Sequence, residues 1–253
     1  MKNYQKHLSV CSIALATLLS VPFQGAWAAT APVLGGAAAF SVLGGTAVTC
    51  TNGSITGDVG VAPGNAYTNT GCAITGGVPP ATNAAAVVAR ANFLTAYAAL
   101  QQQSASCIQV PGDLANRNLA PGVYCTDGVA KTGALTLTGP ADGVWIFLVN
   151  GALTGTNFSV DMAGGGLSGN VFWAPTTAAT MTNSAFTGDI LAGDSAGGSV
   201  TFTGGTLSGK ALANIAVTIT GTHVTDAVTP VAATPVAGST SHHPSYLSNP
   251  FGS

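Results

Sequence analysis

The chain has 253 residues, of which six are Lys or Arg and eight are acidic, all Asp; Glu is absent. Charged residues make up 6% and hydrophobic residues 47%. That excludes charge-driven disorder, a basic patch able to neutralise nucleic-acid phosphates and long helices with charged outer faces. With 34 Gly and 32 Thr, what remains is a β-rich fold with a neutral, hydroxyl-covered surface.

The N-terminus reads as an export signal. Lys2 and Lys6 precede an apolar core from Leu8 to Val21, and Ala26-Trp27-Ala28 is a small-x-small cleavage site. The apolar run is too short to span a bilayer, and no later segment is apolar enough to do so. Cleavage after Ala28 leaves four Lys or Arg and eight Asp, a net charge of −4. It also leaves Cys50, Cys72, Cys107 and Cys125, an even count in an exported chain, which predicts disulfides. Proximity in sequence favours Cys50–Cys72 and Cys107–Cys125; free buried thiols are the alternative.

A Thr-x-Thr pattern followed by Asn or Gly recurs along the chain. It begins at Thr49 and Thr51, and returns at Thr136 and Thr138, Thr154 and Thr156, Thr180 and Thr182, Thr201 and Thr203, and Thr218 and Thr220. The last four intervals between starts are 18, 26, 21 and 17 residues, which suits one turn of a β-solenoid. Alternation puts the middle residue inward and both Thr outward. A second short strand follows each copy. Ile55, Leu167, Phe186, Leu207 and Val224 are expected to point inward, and Thr56, Ser168, Thr187, Ser208 and Thr225 outward. Ser54 and Thr206 belong to the same side. Continuous apolar runs at residues 144–149, 171–174, 190–192 and 211–213 predict third strands buried on both faces.

Residues 62–82, with Pro63, Pro79 and Pro80, are expected to form a capping loop. Residues 84–103, with Asn83 as N-cap, are the one helix-like stretch. Val87, Val88, Ala91, Leu94 and Ala98 form its predicted apolar stripe. Twenty residues span about 30 Å, and six coils stacked about 4.8 Å apart span about 29 Å, so the helix can lie along the whole stack. Residues 227–253, rich in Pro, Ala, Ser and Thr, read as a disordered tail. The expected fold is therefore all-β dominated: a three-faced β-solenoid (β-helix) of about six coils with one long α-helix along one face, acting as a monomer.

Several motifs compete with that reading. Gly193-Asp194-Ser195-Ala196-Gly197 matches the nucleophile elbow, but strand rather than helix follows it. Gly204 to Lys210 spells a P-loop whose last position is Ala211 instead of Ser or Thr. Asp58, Asp189, Asn170 and Lys210 occupy one coil position and read as polar residues after a Gly bend rather than as a lyase or calcium site; a lyase would need clustered Asp with Arg or Lys in a groove, and Arg90 and Arg117 lie outside the repeats. His242-His243 falls in the tail. No catalytic, metal or cofactor site is predicted.

The outward Thr form a rigid grid. They are stiff at χ1, about 7 Å apart along a strand and about 4.8 Å apart between coils. Such a grid suits ordered water better than a soluble ligand, although Thr is also simply a good strand former. Val33 to Thr225 resembles the DUF3494 ice-binding family. The resemblance is carried by Leu34-Gly35, by residues 55–64 (ITGDVGVAPG), by Leu119 to Tyr124 and by Val144 to Phe147. Asn170 to Trp173 and Gly209 to Ala213 add to it. It implies a right-handed β-helix with irregular coil order, a flanking helix, an N-terminal capping region and a flat ice-binding face, often bearing Thr-Ala/Gly-x-Thr/Asn. Thr203-Gly204-Gly205-Thr206 fits that motif, and residues 51–54, 182–185 and 220–223 fit it in part. The implied protein is secreted, non-enzymatic and adsorbs to ice. The six Thr-x-Thr pairs are the primary candidate face and the second-strand residues the secondary one. An adhesin or a carbohydrate-binding or cleaving module on the same solenoid is the alternative.

Overall fold

The apolar alternation of the repeats closes into a coil because each coil turns at two kinds of corner, both visible in the computed structural model, which describes residues 29–127, 130–193 and 197–228. In chain order the strands are β1 (Phe40–Gly44), β2 (Ala47–Thr51), β3 (Ser54–Ile55), β4 (Asp58–Val61), β5 (Ala66–Thr70) and β6 (Ala73–Ile74), followed by the helix α1 (Asn83–Gln101). Then come β7 (Ile108–Gln109), β8 (Arg117–Leu119), β9 (Gly122–Asp127), β10 (Ala130–Thr138), β11 (Trp145–Asn150), β12 (Leu153–Ala163) and β13 (Val171–Pro175). The chain continues through β14 (Ala179–Thr187), β15 (Asp189–Ala192), β16 (Val200–Ser208), β17 (Ala211–Ala213), β18 (Ala216–Thr220) and β19 (His223–Thr225).

All the pairings are parallel. One sheet of eight strands runs β4-β1-β17-β15-β13-β11-β9-β7, and an eleven-stranded sheet carries β5-β2-β18-β16-β14-β12-β10-β8, with β19, β3 and β6 attached. The coil order is discontinuous. The last coil, β17 and β18, lies between the first coil, β1 and β2, and the β15–β16 coil.

At the first corner the residue after the second Thr has a left-handed backbone. Asn52, Asn157 and Asn183 have φ of 52°, 50° and 50°, and Gly71, Gly204 and Gly221 have 75°, 69° and 59°. Only Gly, and to a lesser degree Asn, adopts that conformation cheaply, which explains why the repeat ends in one or the other. At the second corner Gly57, Gly188 and Gly209 have φ of 108°, 111° and 151°. A Cβ on Gly209 would sit 2.2 Å from the Gly188 carbonyl oxygen, so no side chain fits.

Two cores result. The inner one, between the three sides, holds Trp145, Phe147, Trp173, Met181, Phe186 and Phe202 among many aliphatic residues. An aromatic column crosses its rungs: Phe147 stacks on Trp173 at 3.9 Å between centroids, and Trp173 meets Phe186 at 4.9 Å. Both indole N–H groups are satisfied, Trp145 donating to Leu119 O and Trp173 to Thr187 O. The outer core lies between the eight-stranded sheet and α1. It explains why β1, β13 and β15 are buried along their whole length.

The helix lies along the stack, touching β4, β1, β15, β13 and β11. Its buried face differs from the predicted one. Ala86, Ala89, Phe93, Ala96, Tyr97 and Leu100 are buried, while Val87 and Val88 are each 60% exposed and Ala91 and Ala98 are exposed. The three alanines let the helix backbone approach the sheet closely, and hydrophobicity alone points to the bulkier valines instead. Arg90, half-buried, donates through Nη2 to Asn214 Oδ1. The predicted disulfides are present: Cys50–Cys72 and Cys107–Cys125, with Cα separations of 6.0 and 5.5 Å. Each ties an end coil to its neighbour.

Residues 1–28, most of the tail and the His242-His243 pair lie outside the described residues, as do Asp194, Ser195 and Ala196 of the elbow-like motif. The P-loop-like stretch runs mostly through β16, a strand and not a phosphate cradle.

Candidate functional site: a double rank of threonines

The first side of the eleven-stranded sheet brings most of the predicted Thr into register. Thr51 pairs with Thr220, Thr220 with Thr203, Thr203 with Thr182, and Thr182 with Thr156. The parallel rank is Thr49, Thr218, Thr201, Thr180 and Thr154. The residues between the two ranks, Cys50, Ile219, Phe202 and Met181, are 0% exposed. All ten Thr are half-buried or exposed. The expected facing is therefore what the strands adopt.

The sixth pair differs from expectation. Thr136 and Thr138 stand opposite Asp161 and Ala163 of β12, beyond its corner, and so leave the rank. Gly139 after them is not among the left-handed residues; the sequence has the Thr-x-Thr pattern without the corner that ends a rung. The sixth rung comes from residues 62–82 instead. Thr68 stands opposite Thr49 and Thr70 opposite Thr51, and Gly71 makes the left-handed corner. Thr68-Asn69-Thr70-Gly71 carries the pattern, but its polar middle residue hides it from a search for alternating apolar residues. Asn69, exposed, is tolerated inward because among the described residues no further strand is stacked on β5; its Oδ1 accepts the Cys72 N–H at 2.9 Å.

The result is two in-register ranks of six Thr, flanked by Ala66, Ala47 and Ala216, also in register. No charged residue lies on these six rungs. Along the strand the ranks are about 7 Å apart and the rungs about 4.8 Å apart.

The second side is less regular. Thr187, Ser208 and Thr225 align, and Thr56 continues them through its N–H bond to Val224 O at 2.9 Å. The adjacent rank runs Ala185, Thr206, His223, Ser54 and Ala73, with Ser54 Oγ 2.8 Å from His223 Nδ1. Asp161, exposed, sits on the same side. Ser168 does not point outward: it is 6% exposed, lies in a 3-10 turn and accepts the Val228 N–H at 2.7 Å. The insertion after β12 replaces the Gly corner there, so the alternation assumed for Leu167 and Ser168 fails.

The four-residue motif also has a structural cause. In Thr203-Gly204-Gly205-Thr206 the first Thr ends one side, Gly204 and Gly205 turn, and Thr206 opens the next. Residues 182–185 and 220–223 turn the same way, with buried Ser184 and Thr222 satisfying backbone groups at the bend. Ser184 Oγ accepts the Phe158 N–H at 3.2 Å, and Thr222 Oγ1 donates to Gly204 O at 3.1 Å.

The polar residues at the second corner bond to backbone or to one another. Asp58 accepts from Gly77 N at 2.7 Å, Asp189 from Lys210 N at 3.0 Å, and Asn170 Nδ2 donates to Ala141 O at 2.9 Å. Lys210 Nζ is 3.9 Å from Asp226, which accepts from Ser41 Oγ at 2.8 Å. Burial pushes the Asp189 carboxyl up to about 6, partly offset by Lys210. Among the described residues no group of three or more His, Cys or acidic residues is placed to hold a metal ion.

A family model described as Ice-binding-like matches residues 42–225. An ice-binding protein of Nostoc sp. (strain HG1) is 35% identical over 183 residues, covering 70% of this chain and 68% of that protein. Among solved structures, an ice binding protein from an Antarctic biological consortium matches with a TM-score of 0.67 at 28% identity, over 78% of this chain and 92% of that one. The DUF3494 domain of Shewanella frigidimarina ice-binding protein 1 matches with a TM-score of 0.66 at 25% identity, over 79% and 99%. With the match spanning most of the solenoid, this chain belongs to the ice-binding-like family.

Proposed function

We propose that the protein adsorbs to ice through the first side, with the twelve Thr of the double rank as the contact surface. The observation that carries this is the register: six rungs, two Thr each, without a charge. Each Thr presents a methyl and a hydroxyl at a position set by the strand, so water held between them loses little further freedom when it joins a lattice. A charged side chain would keep its own hydration shell and break that order. Adsorbed molecules force the ice front to grow as curved caps between them, which lowers the local freezing point and slows recrystallisation. The second side, with Ser54, Thr56, Thr187, Thr206, Ser208 and Thr225, is a subsidiary contact at most, because His223 and Asp161 interrupt it.

The role is non-catalytic and needs no cofactor. In this reading residues 29–226 are the ice-binding unit, 62–82 close one end and 227–253 form a tail. Export through residues 1–28 fits the two disulfides, which persist in oxidising compartments. No described helix is long and apolar enough to cross a membrane. A carbohydrate-binding module would be expected to offer an exposed aromatic platform, and among the described residues no Phe, Tyr or Trp is an exposed large hydrophobic residue. The test is ice-recrystallisation inhibition by the chain from Ala29 at micromolar concentration. Growth of crystals at the rate of a buffer control would reject the proposal.

A further inference from the structure

One end of the stack presents an open edge. Among the described residues β5 has a strand on one side only. Thr70 turns its carbonyl towards β2, where it accepts the Asn52 N–H at 2.9 Å. Alternation then points the backbone groups of Tyr67 and Asn69 away from the stack. The strand is five residues long without Pro, and no charged residue occurs from Val59 to Ala89. Tyr67, Ile74 and Val78 are half-buried and close the inner core from this end. The opposite end is blunted: on the first side its edge is β10, which carries the charged Lys131. β7 and β8 have two and three residues, and Arg117 donates to Asp113 O at 2.7 Å and Pro111 O at 2.9 Å in the turn between them. Short strands, charge and Pro are the usual means of blunting a sheet edge, and β5 has none of them.

We propose that, in place of the monomer expected from the sequence, the β5 edge pairs with the β5 edge of a second copy of this chain, antiparallel, about a two-fold axis normal to the first side. The neutral segment meets itself without like-charge repulsion. An axis normal to the first side keeps both Thr faces pointing the same way and joins them into one surface twice as long; that consequence rests on the ice-binding reading, whereas the pairing does not. With only one five-residue strand per copy, association is reversible and concentration-dependent.

Sedimentation equilibrium of the chain from Ala29, without ice, tests this over micromolar to millimolar concentration. The mass is expected to approach twice that of a single chain. Asn69→Asp, which retains an acceptor for Cys72 N–H, is expected to move the midpoint at least about tenfold higher, with an unchanged circular dichroism spectrum. Thr68→Cys is expected to give a disulfide-linked dimer under air. A single-chain mass throughout with no cross-link overturns the pairing, as does a dimer that neither variant affects.

Discussion

Individual residues carry more of this fold than their propensities suggest. The corner Asn are a case in point. A Cβ on Gly204 would lie 2.4 Å from Asn183 Oδ1, and one on Gly71 would lie 2.7 Å from Asn52 Oδ1. Asn on one rung thus occupies the space that Gly leaves on the next. Asn183→Ala is expected to lower stability by about 1–2 kcal/mol, with Asn183→Gly closer to the parent, as read from denaturant midpoints. Asp189 gives a pH signature. Its folded-state value, about 6, lies above the roughly 3.9 of an unfolded Asp. The folded state therefore holds the proton more tightly, and the group costs stability above pH 6. That cost is relieved as pH falls from about 6 to about 4. Asp189→Asn is expected to raise the melting temperature at pH 8 and to have little effect at pH 4. An equal effect at both pH values would mean that the carboxyl does not titrate in this window.

At the scale of elements, the two disulfides guard the two ends, where a strand has one neighbour and its pairing is weakest. They close 22- and 18-residue separations, so removing either is expected to cost about 3 kcal/mol in the chain-entropy account. Their functional effects should differ. Cys50–Cys72 holds the rung that carries Thr68 and Thr70; Cys107–Cys125 holds an end with no ranked Thr. Cys50→Ala with Cys72→Ala is expected to lower thermal hysteresis more than Cys107→Ala with Cys125→Ala at a temperature where both variants remain folded. How legible an element is in the sequence follows one rule. Elements with an apolar middle residue, such as Thr180-Met181-Thr182, announce their facing through alternation. Thr68-Asn69-Thr70 does not, because its middle residue faces the end of the stack. Thr136-Leu137-Thr138 alternates correctly yet sits past the corner, since its position depends on pairing with β12. Length alone places the helix along the stack, but its face is set by the need for close approach through Ala86, Ala89 and Ala96.

At the scale of the molecule, coil order decides the surface. The first and last coils are adjacent, so Thr51 meets Thr220 across 169 residues of chain, a juxtaposition no local pattern announces. Only the family resemblance implied an irregular order. The order makes the Thr rank continuous from Thr70 to Thr156 and leaves the charges off it: at the second corner, at Arg90 on the helix, at Asp161 on the second side and at the far end. It also separates two residues that the repeat alone treats as equivalent: Thr182, inside the rank, and Thr136, outside it. Both are half-buried on strands, so both should accept a larger side chain with similar effects on stability. Thermal hysteresis of Thr182→Tyr and Thr136→Tyr beside the parent chain is therefore the most direct measurement. A loss of most activity in Thr182→Tyr, with Thr136→Tyr close to the parent and all three folded alike, is the predicted result. Equal activity in all three, or a larger loss in Thr136→Tyr, would contradict the assignment of the first side as the ice-binding face.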